Sequence, residues 1–253
     1  MQGTSQIRQV DCTPSRLVRA AGPGYHRLMT SNPTAVAKPD FRSRVAEGRR
    51  DRMRARLLAA TMKVCGGANR GRAVIDDVVR EAGVSRGAFY RYYPSLEAAI
   101  AELIDQLVAE LVDAARMTFS DVDDPVLGSA IGSQLLLGRA SGDREWATFV
   151  SSSSQVLDTP PLHAVLHDTI GAGGKTGVFD FPSLDVATDL FAGGLLGGIR
   201  RLASDQAAGD GYVVDLSLQL LRGLGTTPER AAAAAREGAS RIAAAASRLP
   251  WAR

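Results

Sequence analysis

Cysteine is nearly absent from this chain of 253 residues, in which Cys12 and Cys65 are the only two. Two cysteines cannot build the disulfide framework of a small secreted domain, nor the ligand set of a zinc ribbon. Their scarcity fits a reducing compartment, so we expect a cytoplasmic protein.

Long hydrophobic runs and β-branched runs are also missing. No segment reaches the roughly 18 consecutive apolar residues of a transmembrane helix, and the N-terminal residues carry charges and prolines where a secretory signal would be apolar. We therefore expect no membrane partner. Alanine is abundant, which favours helix over strand, and the sequence predicts an all-α fold.

The charges are distributed unevenly along the chain. Residues 1–93 hold 18 Lys and Arg against 7 Asp and Glu, whereas residues 94–253 hold 12 against 20. A basic front and an acidic body are typical of a protein that binds a polyanion such as DNA with one end. The alternative is a basic tail without a ligand.

Composition divides the chain into three parts. Residues 1–44 contain four prolines and many small residues, which predicts a flexible basic arm with a weak, salt-sensitive contribution to DNA binding or none. Residues 45–94 are expected to form a helix-turn-helix DNA-binding domain. Residues 95–253 are expected to form a helical effector-binding and dimerisation domain.

The second part contains signals for three helices. An apolar stripe over 57–65 predicts the first helix, and apolar residues on one face of 75–82 predict the second. Gly83 permits a sharp turn, Ser85 can cap a third helix over 86–93, and the two short helices then form a helix-turn-helix.

The third part begins with a long helix that is predicted to run from about residue 95 to 119, with an apolar stripe on one side. The connection over 171–182 is glycine-rich and is a candidate for a mobile lid. The last segment is rich in alanine and is expected to pack weakly on the body. Further helices are predicted at about 125–140, 143–157, 160–170, 183–206, 211–223 and 227–248.

Residues 77–100 read DVVREAGVSRGAFYRYYPSLEAAI. This segment resembles the DNA-binding segment of TetR-family transcriptional regulators, whose pattern is roughly DIAxxAGVSxGTxYxYFxSKExL, and the match extends back without a gap to Leu57. The resemblance implies a three-helix head and a C-terminal helical ligand-binding and dimerisation domain. It further implies a homodimer that binds a palindromic operator and acts as a repressor released by a small apolar effector.

Three departures from the family pattern affect expected contacts. Ala73 and Val74 stand where the family usually has two threonines, one of which caps the second helix and touches a phosphate. Ala88 replaces a hydroxyl residue, although its methyl group could meet a thymine methyl. Leu96 replaces a lysine, and we expect it to pack under the head.

The third helix is expected to enter the major groove. Arg86 lies near its start, where a guanidinium can bind guanine O6 and N7 together, with a phosphate contact as the alternative. Phe89 and Tyr93 are expected in the core. The predicted DNA-binding residues are Arg72, Ser85, Arg86, Gly87, Ala88, Tyr90, Arg91 and Tyr92.

Two further sets of residues are predicted in the body. The candidate ligand-binding residues are Leu103, Leu107, Trp146, Phe149, Val150, Phe179 and Phe191, to which Phe119, Leu136 and Phe181 are added as weaker candidates. The candidate dimer interface within 183–223 comprises Gly193, Gly194, Gly197, Gly198 and Leu220. Glycines four residues apart give a smooth helix face, which suits either a second copy or close packing inside one chain.

Other motifs do not support a catalytic or metal function. The stretch 171–176 lacks the first glycine of a phosphate-binding loop, since Thr169 occupies that position. His163 and His167 share a helix face but have no obvious third ligand. We expect no enzyme activity, no catalytic or metal-binding residues and no cofactor. The alternative function is an orphan regulator, or one controlled by a protein partner, without a small-molecule ligand.

Overall fold

The computed structural model describes residues 41–67, 73–119, 121–152, 156, 159–204 and 211–252. These residues form helices joined by turns, with no β-strand among them, which confirms the all-α prediction. Residues 1–40, most of the predicted arm, lie outside the described part. Residues 41–44 already belong to the first helix, which follows closely on Pro39.

The helices bury one large apolar core that extends from the head into the body. None of those in the described ranges is both long enough and apolar enough to cross a bilayer. The α-helices are α1 (Phe41–Gly66), α2 (Ile75–Ala82), α3 (Arg86–Tyr90), α4 (Leu96–Phe119), α5 (Pro125–Gly142), α6 (Arg144–Ser152), α7 (Pro160–Lys175), α8 (Leu184–Ala203), α9 (Tyr212–Gly223) and α10 (Pro228–Ala245).

The head consists of α1, α2 and α3 around a small core in which Leu57 and Phe89 are fully buried. Gly83 ends α2 in the left-handed conformation, with φ of 62°. Its N–H donates to the carbonyl of Arg80, so the helix is closed as the chain turns toward α3. A side chain at Gly83 would be strained there, which explains the glycine.

Helix α3 is shorter than the predicted span of 86–93. Ser85 caps it as expected, because its Oγ accepts a hydrogen bond from the N–H of Ala88 at 3.2 Å. The N–H groups of Tyr92 and Tyr93 both donate to the carbonyl of Phe89, so the chain turns out of the helix after Tyr90. Pro94 prevents the helix from continuing past Tyr93, since the residue before a proline avoids the helical conformation.

Helix α4 joins the head to the body. Leu96 at its start is buried under the head, which confirms the expectation for this position. Leu103, Leu107 and Leu111 continue the buried stripe along the helix. The same rigid element therefore contacts both domains.

Helix α5 lies at the centre of the body, and two of its buried polar side chains bond to neighbouring helices. Gln134 Nε2 donates to the carbonyl of Ala235 in α10 at 2.9 Å, and Ser133 Oγ lies 2.7 Å from Ser217 Oγ in α9. Helix α10 packs closely on α5 through buried alanines and Gly238, so the expectation of weak packing was wrong. Its small side chains explain the close approach.

The glycine-rich stretch that was predicted as a connection is helical, and α7 extends through it to Lys175. The glycines make room for two aromatic rings that fold back over the helix. A Cβ at Gly173 would lie 2.0 Å from Phe179 Cδ2, and one at Gly174 would lie 2.8 Å from Phe181 Cζ. The prediction of a mobile lid was therefore wrong, because the segment is packed and Phe179 is buried.

Candidate nucleic-acid interface

The outward side of α3 presents polar side chains, whereas its inward side is packed into the head. Arg86, Tyr90 and Arg91 are exposed, and Tyr90 has 52% of its surface accessible. Phe89 is fully buried, as predicted. Ala88 is also buried, with 7% exposure, so its predicted contact with a thymine methyl is not supported.

The backbone at the start of α3 is open to solvent. A Cβ added at Gly87 would meet nothing closer than Ser85 Oγ at 4.0 Å, so packing within the chain does not require this glycine. Gly87 and Ser85 are both exposed. Another molecule can therefore approach the backbone closely here, as the predicted role of Gly87 in DNA binding needs.

Arg86 has an acidic neighbour that sequence reasoning missed. Its Nε lies 2.7 Å from Asp76 Oδ1 in the first turn of α2, and more than half of each side chain is exposed. An exposed pair contributes little to stability. The pair instead fixes the orientation of the Arg86 side chain. The carboxylate binds one edge of the guanidinium and leaves the remaining N–H donors for a ligand. An ion pair between two adjacent helices has no signal in the sequence spacing.

The tyrosines that follow α3 divide between surface and core. Tyr92 is half-buried and Tyr93 is buried, as expected for Tyr93. The Tyr93 hydroxyl donates to Glu102 Oε1 of α4 at 3.2 Å. Burial, with the nearby Glu102 carboxylate as the second cause, raises the pKa of Tyr93 to about 12. Tyr93 is therefore a structural residue that joins α3 to α4.

The start of α2 lacks a side-chain cap, as the alanine and valine at 73 and 74 predicted. Val74 occupies the cap position without a side-chain acceptor, and the carboxylate of Asp77 instead accepts a hydrogen bond from its N–H at 3.3 Å. Arg80 pairs with Asp77. Arg72, a predicted DNA contact, lies outside the described residues.

A cleft lies between the N-terminal half of α1 and the turn after α3. Arg49 and Arg50 line it together with Arg91 and Tyr92. The two arginines of α1 therefore lie beside the expected DNA surface, although they precede it by some forty residues in sequence. The basic excess of the first 93 residues was the only signal for them.

A second site lies in the body, where α4, α5, α7 and α8 surround a cavity of about 110 Å³. Among the predicted ligand-binding residues, Phe191 lines this cavity, as does the weaker candidate Leu136. Phe181 does not line it, and Phe119 falls among residues whose side chains are not described. The remaining six are buried core residues away from it, because large apolar side chains fill space: Leu103, Leu107, Trp146, Phe149, Val150 and Phe179.

The glycines of α8 face two directions. A Cβ at Gly194 would lie 2.4 Å from Leu220 Cδ2, and one at Gly198 would lie 2.3 Å from Leu216 Cδ2, so these two glycines allow α9 to pack closely in the same chain. Gly193 and Gly197 have nothing within 4 Å and are exposed. Gly194, Gly198 and Leu220, which were predicted to contact a second copy, therefore pack within one chain. Gly193 and Gly197 are the predicted interface residues that stay open.

The metal hypothesis at α7 gains no further ligand from the fold. The rings of His163 and His167 stack with centroids 6.0 Å apart, and His167 Nε2 lies 3.6 Å from Asp185 Oδ1 in α8. In the ranges that the structure describes, no three His, Cys, Asp or Glu side chains are grouped as a metal site would need.

Residues 57–103, from the middle of α1 into α4, match the bacterial regulatory proteins of the tetR family. No curated protein matches this chain.

Solved structures share the fold over the head and the body. The fatty acid degradation regulator FadR from Bacillus halodurans is 18% identical with a TM-score of 0.57, covering 69% of this chain and 97% of that one. A TetR family transcription regulator from Marinobacter aquaeolei VT8 is 17% identical with a TM-score of 0.56, and the match covers 70% of this chain and 98% of that one. A gamma-butyrolactone receptor, an ArpA-like protein, is 12% identical with a TM-score of 0.57, covering 78% and 98%. The chain is thus similar to the bacterial regulatory proteins of the tetR family over residues 57–103, and it shares the fold of these solved structures.

Proposed function

We propose that the chain is a sequence-specific DNA-binding transcriptional regulator that binds a palindromic operator as a homodimer. In this proposal it is a repressor, released from the operator by a small apolar effector. The observation that carries the proposal is the exposed side of α3. Its polar residues project outward while Phe89 and Ala88 anchor it from behind, so a helix too short to be stable alone is held in a fixed position.

The DNA contacts follow from this exposure. Arg86 and Tyr90 are proposed to reach base edges in the major groove, while Arg91, Tyr92 and the cap residue Ser85 are proposed to bind phosphates. Arg49 and Arg50 lie along the adjacent cleft and extend the cationic surface. Phosphate contacts of this kind give affinity and register, whereas the α3 contacts give sequence preference.

A second copy is proposed to cover the outer side of α8. Val186 and Leu190 are 62% and 61% exposed on this side, which is unusual for large apolar residues. Gly193 and Gly197 follow on the same face with open space around them. A helix from a partner can approach such a smooth face closely, and a twofold dimer would place two heads on one duplex.

The effector is proposed to bind the cavity in the body. Helix α4 supplies Leu111 and Ala115 to the cavity wall, and the same helix holds the head through Glu102. A ligand that shifts α4 therefore moves the head and changes the spacing between the two DNA-binding surfaces. The presence of an open apolar cavity favours a small-molecule effector over control by a protein partner alone.

Selection of bound duplexes from a random library with the purified protein tests the proposal. We expect enrichment of an inverted repeat whose half-sites lie about one helical turn of DNA apart, or a multiple of it. Tyr90→Ala should abolish the enrichment, whereas Arg236→Ala, an exposed site on α10, should preserve it. Failure of the intact protein to enrich any sequence would contradict the proposed function.

A further inference from the structure

The ion pair between Arg86 of α3 and Asp76 of α2 stands beside the surface that is proposed to face DNA. Arg86 Nε lies 2.7 Å from Asp76 Oδ1, and more than half of each side chain is exposed. Tyr90, on the same helix as Arg86, is exposed as well, whereas Phe89 is buried. A duplex that bound to the outward side of α3 would therefore cover the carboxylate together with the arginine.

The carboxylate leaves a defined part of the guanidinium available. It contacts Nε, and within the described residues the two Nη groups of Arg86 make no hydrogen bond or ion pair. Those groups form the outer edge of the guanidinium, whose N–H donors can bind guanine O6 and N7 together. An arginine that is held at Nε thus presents the edge that a guanine needs.

The first turn of α2 is an unfavourable place for a phosphate. Asp76 and Asp77 place two carboxylates there, and Asp77 already accepts a hydrogen bond from the N–H of Val74. The exposed side chain of Val74 has neither a hydroxyl nor a positive charge to offer. A phosphate that approached Arg86 from this side would meet the negative charge of Asp76, which opposes a contact between the arginine and the DNA backbone.

From these observations we infer that Asp76 is a positioning residue that determines specificity, because it directs Arg86 to a base and away from the neighbouring phosphates. In water an exposed ion pair is weak, but its attraction grows as the duplex excludes water around it. The carboxylate also repels the DNA backbone, so it lowers affinity while it raises specificity. The inference rests on the proposed function and chooses between the two contacts that remained open for Arg86, a base and a phosphate.

Asp76→Asn tests the inference, because it removes the charge and keeps the size of the side chain. The full-length protein is titrated with the duplex that it enriches most, with every single-base-pair variant of that duplex, and with an unrelated duplex of equal length. At the base pair where Arg86→Ala loses its preference, Asp76→Asn should lower the preference roughly tenfold. The unrelated duplex should bind more tightly, and the slope of log K against log salt should steepen by up to about 0.9, since Arg86 becomes free to neutralise a phosphate.

Glu81→Gln is the matched control, because it removes one negative charge from the same helix. Glu81 pairs with Lys63 of α1, with 2.6 Å between Oε1 and Nζ. This variant should keep the base preference and the salt slope of the intact protein. Asp76→Asn in the Arg86→Ala background should change the base preference no further, since it acts through the arginine. An unchanged preference in Asp76→Asn, or an equal loss in Glu81→Gln, would overturn the inference.

The intact protein separates this inference from the proposed function. If it enriches an operator, and Asp76→Asn keeps the preference at every base pair, the role of Asp76 is contradicted and DNA recognition stands. If the intact protein enriches no sequence, both are contradicted, because Arg86 then has no base to bind.

Discussion

Glu102 of α4 forms a two-pronged ion pair with Arg54 of α1, in which Nε and one Nη of the arginine each donate to one carboxylate oxygen. The Arg54 guanidinium also lies over the ring of Tyr93, 5.9 Å from its centroid. Because Tyr93 donates to the same carboxylate, two segments of the head, α1 and the turn after α3, meet at one point of α4. In the proposed mechanism, a movement of α4 acts on the head through this cluster.

Replacing Glu102 tests this junction. The hydrogen bonds from Arg54 hold the pKa of Glu102 below its usual value. The pair therefore stabilises the folded state fully above the unfolded pKa of about 4.3, and this contribution disappears as the pH falls through the lower folded pKa. Glu102→Gln should lower the free energy of unfolding at pH 7 by about 1 kcal/mol or less, and the difference from wild type should vanish in acid.

Denaturant unfolding from pH 2 to pH 7 measures this difference. Asp105→Asn, on an exposed part of the same helix, serves as the control and should behave like wild type throughout. A Glu102→Gln variant whose stability difference persists at pH 2 would show that packing, and not the ion pair, is responsible.

Arg86 is expected to specify one base pair of the operator. Removal of its guanidinium in Arg86→Ala should weaken binding by about 1–3 kcal/mol and relax the preference at that position, as measured by selection and titration. The Arg236→Ala variant should bind like wild type. Uniform weakening across all sequences would assign Arg86 to a phosphate instead of a base.

Substitutions at two glycines of α8 are expected to have different effects, one on dimer formation and the other on the stability of the fold. Gly197→Leu places a side chain on the open face and should produce a folded, helical monomer by sedimentation and circular dichroism. Gly194→Leu meets Leu220 in the same chain and should cost about 1–3 kcal/mol of stability or more.

Gly138 offers the matched control for this pair, because it is exposed and has nothing within 4 Å. Gly138→Leu should remain both stable and dimeric. Dimers that persist in Gly197→Leu would place the interface elsewhere on the molecule.

The cleft arginines are expected to act through phosphates. Changing Arg49 and Arg50 to Ala should weaken operator and unrelated duplexes alike, and should reduce the slope of log K against log salt by roughly 0.9 for each phosphate that is no longer neutralised. Binding titrations at several salt concentrations measure this slope. An identical slope would indicate that the cleft does not contact DNA.

The head followed from the sequence because its signals are local. The second helix runs from Ile75 to Ala82 and stops before Gly83 as predicted, since the apolar spacing and the glycine act over a few residues. The body did not follow to the same extent. The length of α7 was missed because its glycines are covered by Phe179 and Phe181, which follow the helix and fold back onto it. The helical periodicity of the sequence does not reveal this contact.

The sequence by itself determined the all-α fold, the position of the helix-turn-helix and the burial of Phe89, because periodicity, caps and turn residues operate within one or two helical turns. Tertiary structure alone decided which apolar residues fill the core and which line the cavity. It also decided which glycines of α8 face α9 and which stay open, and it brought Asp76 to Arg86 and Arg54 to Glu102. These outcomes depend on packing between distant segments, where residues of the same chemical type receive different roles from their neighbours in space.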